Sequence, residues 1–119
     1  MLFIVTQPVG LRDTHLFPKL PLPLRDTLET YSAEVNSIAK ILFAKMARAL
    51  KIKPEEMEEV FDDDDLFQSM RVNYHPPCPQ PDQVIGLTPH SDAGGLTILL
   101  QVNEVEGLQI KKDGKWVPI

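Results

Sequence analysis

The positions of the prolines constrain this chain more than any other feature of its sequence. The 119 residues include 11 prolines, too many for an all-helical bundle because proline lacks an amide donor and breaks helix interiors. Four of them fall within residues 1–23, after an apolar segment at the start of the chain. We therefore predict a short strand followed by an extended, proline-rich loop over residues 1–23, with no further regular element.

A helical repeat of apolar residues begins directly after this loop. From Leu24 to Leu50 apolar residues recur at steps of three and four, which is the period of an α-helix with one apolar face. Asp26 and Glu29 have the spacing of a capping box at the start of a helix. An apolar face can bind a partner, but packing against a sheet is the commoner use, and we predict that the face lies in the core.

A second, shorter helix is predicted where Pro54 stands at a first helical position, with acidic residues in the opening turn, and it extends to about Phe61. The two helices together define a helical flank over residues 24–61. The acidic run Asp62–Asp65 follows, and carboxylates can bind hard cations. It lacks the alternating ligands and the glycine of a calcium loop, so we interpret it as solvent-exposed surface.

The last part of the chain has the pattern of short β-strands. Between two of the segments, Asp113 and Gly114 supply the positive φ angles of a tight hairpin turn. The order of elements predicts an α+β fold in which a barrel-like β domain carries a helical flank, without a second domain. The candidate strand segments are residues 70–75, 84–88, 96–101, 107–112 and 115–119.

Charge and cysteine content exclude several classes of protein. Lys and Arg number 12 against 17 Asp and Glu, a net charge of −5, so the chain offers no basic surface for nucleic acid. The single cysteine, Cys78, excludes an internal disulfide framework and fits a reducing compartment. The N-terminal apolar run lacks the features of a signal peptide, and no segment has the length of a bilayer span. We expect a cytoplasmic protein that binds neither nucleic acid nor a membrane.

His90 and Asp92 form the most suggestive candidate site. In an extended segment residues two apart project to the same face, so this imidazole and this carboxylate can converge on one cation. Two histidines and one carboxylate on one face of a metal are the ligands of non-haem Fe(II) centres. A His-x-Asp tripeptide is a weak signal by itself, but Gly94 and Gly95 leave space beside it and strand-like segments on each side supply a rigid mounting.

The stretches around these residues resemble the plant Fe(II)- and 2-oxoglutarate-dependent dioxygenases, an isopenicillin N synthase-like family. The similarity extends upstream through residues 24–61. The nearest group is the one with the codeine and thebaine demethylases and the dioxygenase-type norcoclaurine synthase. The stretches that carry the similarity are Met70–Asp82, Val84–Gln101, Val105–Ile110 and Asp113–Val117.

The resemblance implies a fold, a set of cofactors and roles for individual residues. The fold is a partial double-stranded β-helix, or jelly roll, with a long flanking helix, and residues 70–119 would be the N-terminal part of this incomplete domain. His90 and Asp92 correspond to metal ligands, while Asn73 and position 75 would lie beside 2-oxoglutarate. The implied cofactors are Fe(II), 2-oxoglutarate as cosubstrate and ascorbate as a supporting reductant. The implied activity is that of an oxidoreductase acting on a plant secondary metabolite, a small molecule.

Position 75 departs from the family, because His75 stands where relatives have a tyrosine that contacts the cosubstrate carboxylate. An imidazole can donate a hydrogen bond to a carboxylate, but it is shorter than a phenol and its donor would not reach the same point. Two interpretations of His75 therefore stand: it keeps a role in cosubstrate binding, or it is a tolerated substitution without that role.

The family pattern also extends beyond this sequence. The third iron ligand, a histidine, and an Arg-x-Ser pair that binds 2-oxoglutarate lie downstream of the His-x-Asp, and the sequence reaches Ile119 before either. We expect neither His15 nor His75 to replace the missing ligand. The chain is therefore interpreted as a truncated member of the family. The alternative is a non-catalytic fragment that associates with a partner or a full-length relative, or with itself through open strand edges.

Overall fold

The computed structural model of this chain describes residues 1–61, 67–105 and 107–119. The acidic run Asp62–Asp65 thus lies outside the described residues. Short 3-10 turns occur in the connections, at Val9–Leu11, Phe17–Lys19 and Pro81–Gln83. The helices and strands, in chain order, are β1 (Leu2–Gln7), α1 (Leu22–Leu50), α2 (Pro54–Phe61), β2 (Gln68–Val72), β3 (Gln109–Lys112) and β4 (Lys115–Pro118).

The strands form two separate two-stranded antiparallel sheets. β1 pairs with β2, so that the start of the chain lies beside a segment that follows both helices. β3 pairs with β4 through a two-residue turn, in which Asp113 has a φ of 49° and Gly114 a φ of 78°. These left-handed conformations confirm the predicted hairpin, since glycine adopts them without steric cost and aspartate tolerates them.

The β1–β2 sheet packs on the N-terminal half of α1. The hydroxyl of Thr6 donates to the carbonyl of Gln68 at 3.1 Å, and the Gln68 side-chain amide donates to the carbonyl of Ser32 at 3.2 Å. These bonds tie strand to strand and strand to helix at one point. The buried apolar residues of this first core are Ile4, Phe17 and Leu28.

The C-terminal half of α1 packs against α2. Pro54 is the first residue of α2, as predicted, with Glu55 and Glu56 in its first turn. Leu96, from the long segment that precedes the hairpin, packs against this second core and is partly buried there. The buried residues of the second core are Ala39, Phe43, Ala47 and Met57.

Arg12 connects the loop after β1 to the long helix. Its guanidinium donates to both carboxylate oxygens of Glu29, at 2.5 and 2.9 Å, and donates twice to the carbonyl of Thr6, at 3.0 and 2.7 Å. The guanidinium carbon also lies 4.5 Å from the ring centroid of Phe17. This fork geometry is specific to arginine, and the side chain is only 10% exposed, so the contact is stronger than an ordinary surface ion pair.

Asp13 organises the turn that follows Arg12. Its carboxylate accepts hydrogen bonds from the backbone amides of His15 and Leu16, at 2.7 and 3.0 Å. These two amides are the main reason that the pKa of Asp13 is lowered from its ordinary value. The stabilisation they give is therefore present above the ordinary carboxyl pKa and is lost as the pH falls through the lowered value.

Two predictions for the N-terminal region are wrong. The proline-rich loop is not devoid of regular structure, because it contains two 3-10 turns, and α1 begins at Leu22 rather than Leu24. Its N-cap is Pro21, without a side-chain cap bond. Pro23 is tolerated in the first turn, where a backbone amide would have no intrahelical partner. Glu29 therefore lies past the first turn, and it binds Arg12 instead of completing a capping box.

The prediction that the apolar face of α1 forms the core is only partly right. Ile38, Leu42 and Met46 are 36–49% exposed. Ser32, Ala39 and Ala47 on the buried face are small, which allows close approach of the neighbouring elements. The buried residues of α1 are Leu28, Ser32, Ala39, Phe43 and Ala47.

The strands predicted at residues 84–88 and 96–101 do not form in the described part of the chain. Neither segment has helix or strand structure, although β2 confirms the strand predicted to start near Met70. A strand exists only as part of a ladder, and the described residues provide no ladder partner for either segment. Among the described helices, none is long and apolar enough to cross a membrane.

Replacing Arg12 by lysine tests the contact between the loop and the helix. Lysine keeps the charge but cannot bind Glu29 bidentately and the Thr6 carbonyl at the same time. We expect Arg12→Lys to lower the free energy of unfolding by about 1–2 kcal/mol, measured by urea unfolding monitored at 222 nm. The matched control is Arg48→Lys, at an exposed position whose side chain has no hydrogen bond within the described residues. Equal loss in both variants would contradict the role of Arg12.

Candidate metal centre

The candidate residues lie in the segment between β2 and the hairpin. Asn73 directly follows the last residue of β2, Val72, and His75 is two residues further on. His90 and Asp92 come after the 3-10 turn at Pro81–Gln83. All four lie outside helices and strands and are exposed, so local contacts rather than a sheet determine their orientation.

His90 and Asp92 converge as their spacing predicts. Nε2 of His90 lies 3.4 Å from Oδ1 of Asp92. On the other side of the ring, Nδ1 lies 2.8 Å from the backbone carbonyl oxygen of Thr88. The imidazole is thus held between a main-chain carbonyl two residues earlier and a carboxylate two residues later.

The contact with Thr88 determines which ring nitrogen of His90 carries a proton. A carbonyl oxygen can only accept a hydrogen bond, so Nδ1 must be the donor. In the neutral ring Nε2 is then an acceptor with a free lone pair directed towards Asp92. A hydrogen bond from one ring nitrogen to a carbonyl is also the usual way in which a metal-binding histidine is oriented.

The gap between the two side chains suits a cation. With Nδ1 protonated, Nε2 and Oδ1 are both acceptors, and their approach to 3.4 Å is favourable only with positive charge on or between them. A proton on Nε2 would satisfy this, and so would a divalent ion that both atoms bind. A neutral nitrogen with an anionic oxygen is a donor set that borderline divalent metals accept. The residues present therefore fit two ligands of an iron site.

The rest of the coordination sphere is open. The side chains of His90 and Asp92 are 43% and 48% exposed. Within the described residues, no group of three or more His, Cys, Asp or Glu side chains is placed to hold a metal. His15 and His75 therefore do not join the pair. A Cβ added at Gly94 would meet no atom within 4 Å, which agrees with the space expected beside the site.

His75 lies against the backbone of the segment that leads to His90. A Cβ built on Gly86 would lie 3.5 Å from Nδ1 of His75 and 3.7 Å from its Cε1. The ring therefore packs over Gly86, four residues before the candidate ligand. Asn73 forms no side-chain hydrogen bond within the described part of the chain, so its amide is available to a ligand.

Sequence reasoning missed Thr88 and the contact between His75 and Gly86. Thr88 acts through its backbone carbonyl, which every residue type possesses, so no side-chain pattern reveals it. The contact of His75 with Gly86 depends on how the proline-rich segment turns. A glycine in a strand-like stretch was the available signal, since it commonly marks a close approach of another group.

Comparison with known proteins relates the sequence of this chain to a family of oxygenases. Residues 66–119 match the model of the 2OG-Fe(II) oxygenase superfamily. Protein SRG1 of Arabidopsis thaliana is 76% identical over 119 residues, which are 100% of this chain and 33% of that protein. Thebaine 6-O-demethylase of Papaver somniferum is 57% identical over 117 residues, 96% of this chain and 32% of the demethylase.

A solved structure has the same arrangement of the chain. The crystal structure of JOX2 in complex with 2OG, Fe and JA superposes with a TM-score of 0.88 at 34% identity, covering 98% of this chain and 34% of JOX2. Residues 66–119 belong to the 2OG-Fe(II) oxygenase superfamily, and the whole chain is homologous to part of the plant 2OG-dependent dioxygenases. It spans about a third of the length of the relatives it matches.

The tautomer of His90 can be measured directly. We expect long-range ¹H–¹⁵N spectra at alkaline pH to show the proton of the His90 ring on Nδ1, because the Thr88 carbonyl accepts it. His15, an exposed histidine in the N-terminal loop, serves as the internal control and should show the tautomer mixture of a free side chain. The same mixture at His90 would contradict the orientation described above.

Proposed function

We propose that this chain carries the His90–Asp92 part of the iron site of a plant 2-oxoglutarate-dependent dioxygenase that acts on a small-molecule secondary metabolite. The observation that carries the proposal is the orientation of His90, whose Nδ1 binds the Thr88 carbonyl while Nε2 faces Asp92 at 3.4 Å. Membership of residues 66–119 in the superfamily supports it. Residues 70–119 would belong to a jelly roll, and the location would be cytoplasmic.

In this function each residue has a limited task. Fe(II) with 2-oxoglutarate supplies the oxidising chemistry, and ascorbate serves as a reductant. His90 would bind the metal through a neutral nitrogen and Asp92 through an anionic oxygen. The pair would neutralise part of the metal charge and leave the remaining coordination positions to other groups. The Thr88 carbonyl keeps the ring of His90 from rotating away from the metal.

Asn73 and His75 are proposed to face 2-oxoglutarate. An amide and an imidazole can each donate a hydrogen bond to a carboxylate. Both side chains follow β2 in an exposed segment, and the contact of His75 with Gly86 keeps the imidazole on the side of the segment that leads to His90. A charge-assisted hydrogen bond at either position would contribute to holding the cosubstrate.

Anaerobic titration with Fe(II), followed by isothermal calorimetry, tests the metal ligands. We expect weak binding to the chain alone, reduced at least tenfold in both His90→Ala and Asp92→Asn, because each removes one of two ligands. His15→Ala is the matched control, since it removes an exposed histidine that does not join the pair, and it should bind as the wild type does. Equal binding by all four proteins would contradict the proposal.

Addition of 2-oxoglutarate to the same samples tests the cosubstrate role. Chelation of a keto acid by Fe(II) produces a visible charge-transfer band. With only two ligands brought together in the described residues, we expect the band to stay far below one equivalent. A full band at stoichiometric iron would show that the chain is a competent site as it stands and would overturn its interpretation as a partial member.

The second candidate is a non-catalytic fragment that associates with a partner, with a full-length relative or with itself through open strand edges. The exposure of large apolar side chains favours it, including Leu99 at 66% and Leu100 at 67%. Unpaired backbone beside apolar side chains is a known template for association.

Light scattering after size-exclusion chromatography tests self-association. If the open edges pair with each other, the mass of the chain should rise from one copy towards two with increasing concentration. Leu99→Lys should reduce that rise because a charge would be buried. A constant monomer mass over a hundredfold range of concentration would contradict self-association but would leave a different partner open.

A further inference from the structure

Two side-chain atoms at the junction of α1 with the β1–β2 sheet are buried without a hydrogen-bond partner. They are Oγ of Ser32, on α1, and Oε1 of Gln68, the first residue of β2. Buried polar atoms in folded proteins are nearly always bonded to protein or to ordered water. Neither residue belongs to the candidate metal centre, so this pair needs a separate explanation.

Ser32 differs from the other hydroxyl residues of α1. A serine or threonine inside a helix commonly donates to the backbone carbonyl four residues earlier. Ser32 is 1% exposed, and within the described residues its hydroxyl has no such bond. It therefore keeps an unused donor at the interface with the sheet. The residues that do form the bond are Thr27, Thr30 and Ser37, at 2.7, 3.1 and 3.1 Å.

The orientation of the Gln68 amide is fixed by the backbone of α1. Its Nε2 donates to the carbonyl of Ser32 at 3.2 Å. Exchanging the nitrogen with the oxygen would bring two acceptors together, so Oε1 must be the other end of the amide. Oε1 is thus an acceptor without a partner, on a side chain that already contacts Ser32.

The two unpaired groups are chemically complementary, because the hydroxyl can donate and Oε1 can accept. They do not bond each other directly. A ligand that joins them must both accept and donate, and it must be small enough to be enclosed. Both side chains are uncharged, so they offer no countercharge to a buried ion. Water has the required properties, and buried waters typically bridge polar groups of this kind.

We propose that one buried water molecule joins α1 to β2, accepting a hydrogen bond from Oγ of Ser32 and donating one to Oε1 of Gln68. Unpaired, the two groups would lose the hydrogen bonds that they make with solvent in the unfolded chain. Holding an ordered water costs less. Both atoms are inaccessible from outside, so another protein segment cannot replace the water without opening the interface.

Oxygen-17 magnetic relaxation dispersion tests the proposal, because it detects water molecules that stay inside a protein for longer than the protein tumbles. We expect Ser32→Ala to lose the dispersion amplitude of one water molecule. Ser37→Ala is the matched control, since it removes an exposed hydroxyl that bonds within the same helix, and it should keep the wild-type amplitude. Oxygen is observed rather than hydrogen, so exchange of hydroxyl protons does not contribute. Equal amplitudes in the three proteins would overturn the proposal.

The direction of the stability change gives a second test. In a hydrated site, Ser32→Ala removes the donor to the water and leaves Oε1 of Gln68 unpaired, so the urea midpoint should fall. In a dry site the same change would remove an unsatisfied hydroxyl and introduce a better helix former, and the midpoint would rise. Ser37→Ala measures the effect of a serine-to-alanine change at an exposed position of α1. A rise in the midpoint of Ser32→Ala beyond that of Ser37→Ala would contradict the water site.

A direct hydrogen bond between Ser32 and Gln68 is the remaining alternative. It would also lower the midpoint in Ser32→Ala, but the dispersion amplitude would then be the same as in the wild type. A lower midpoint with an unchanged amplitude therefore rules out the water. A high-resolution crystal structure of the wild-type chain provides a test that needs no variant. It should show a water oxygen within hydrogen-bond distance of both atoms, and a direct contact between them would refute the site.

Discussion

The pairing of β1 with β2 is the constraint on which the rest of the structure depends. It joins Leu2–Gln7 to Gln68–Val72, which are separated in sequence by both helices. Among the described residues, the resulting sheet is the one that packs on α1. Gln68 extends this pairing to the helix by donating to the Ser32 carbonyl, and Arg12 fixes the loop after β1 to Glu29. Since β2 leads directly into Asn73, this closure also sets where the candidate site begins.

The candidate metal pair depends much less on that closure. His90 is held by a carbonyl two residues before it and faces a carboxylate two residues after it, so the arrangement is contained within Thr88–Asp92. Such a local geometry can form without a completed sheet around it. This explains how two candidate ligands are oriented in a segment that has no strand structure. A group of three such side chains is not found among the described residues.

The exposed segments follow from the same distinction between local and distant contacts. Hairpin β3–β4 forms because Asp113 and Gly114 turn the chain directly back on itself, whereas residues 84–88 and 96–101 need neighbours from further away. Strand propensity expresses how well a residue fits into a sheet, but a strand forms only where a neighbouring strand is present to pair with it. The chain spans about a third of the length of each relative, and it superposes closely on the corresponding part of JOX2.

The sequence by itself determined what depends on neighbouring residues: the long helix and the short one starting at Pro54, the hairpin turn, and the convergence of His90 on Asp92. The sequence motifs also indicated the family, and the match of residues 66–119 to the family model confirms it. Only the tertiary structure decided which face of α1 is buried, that Glu29 binds Arg12 rather than capping the helix, and which predicted strands pair. The physical reason is that these outcomes depend on groups distant in the sequence, whose positions no local pattern of hydrophobicity or charge can specify.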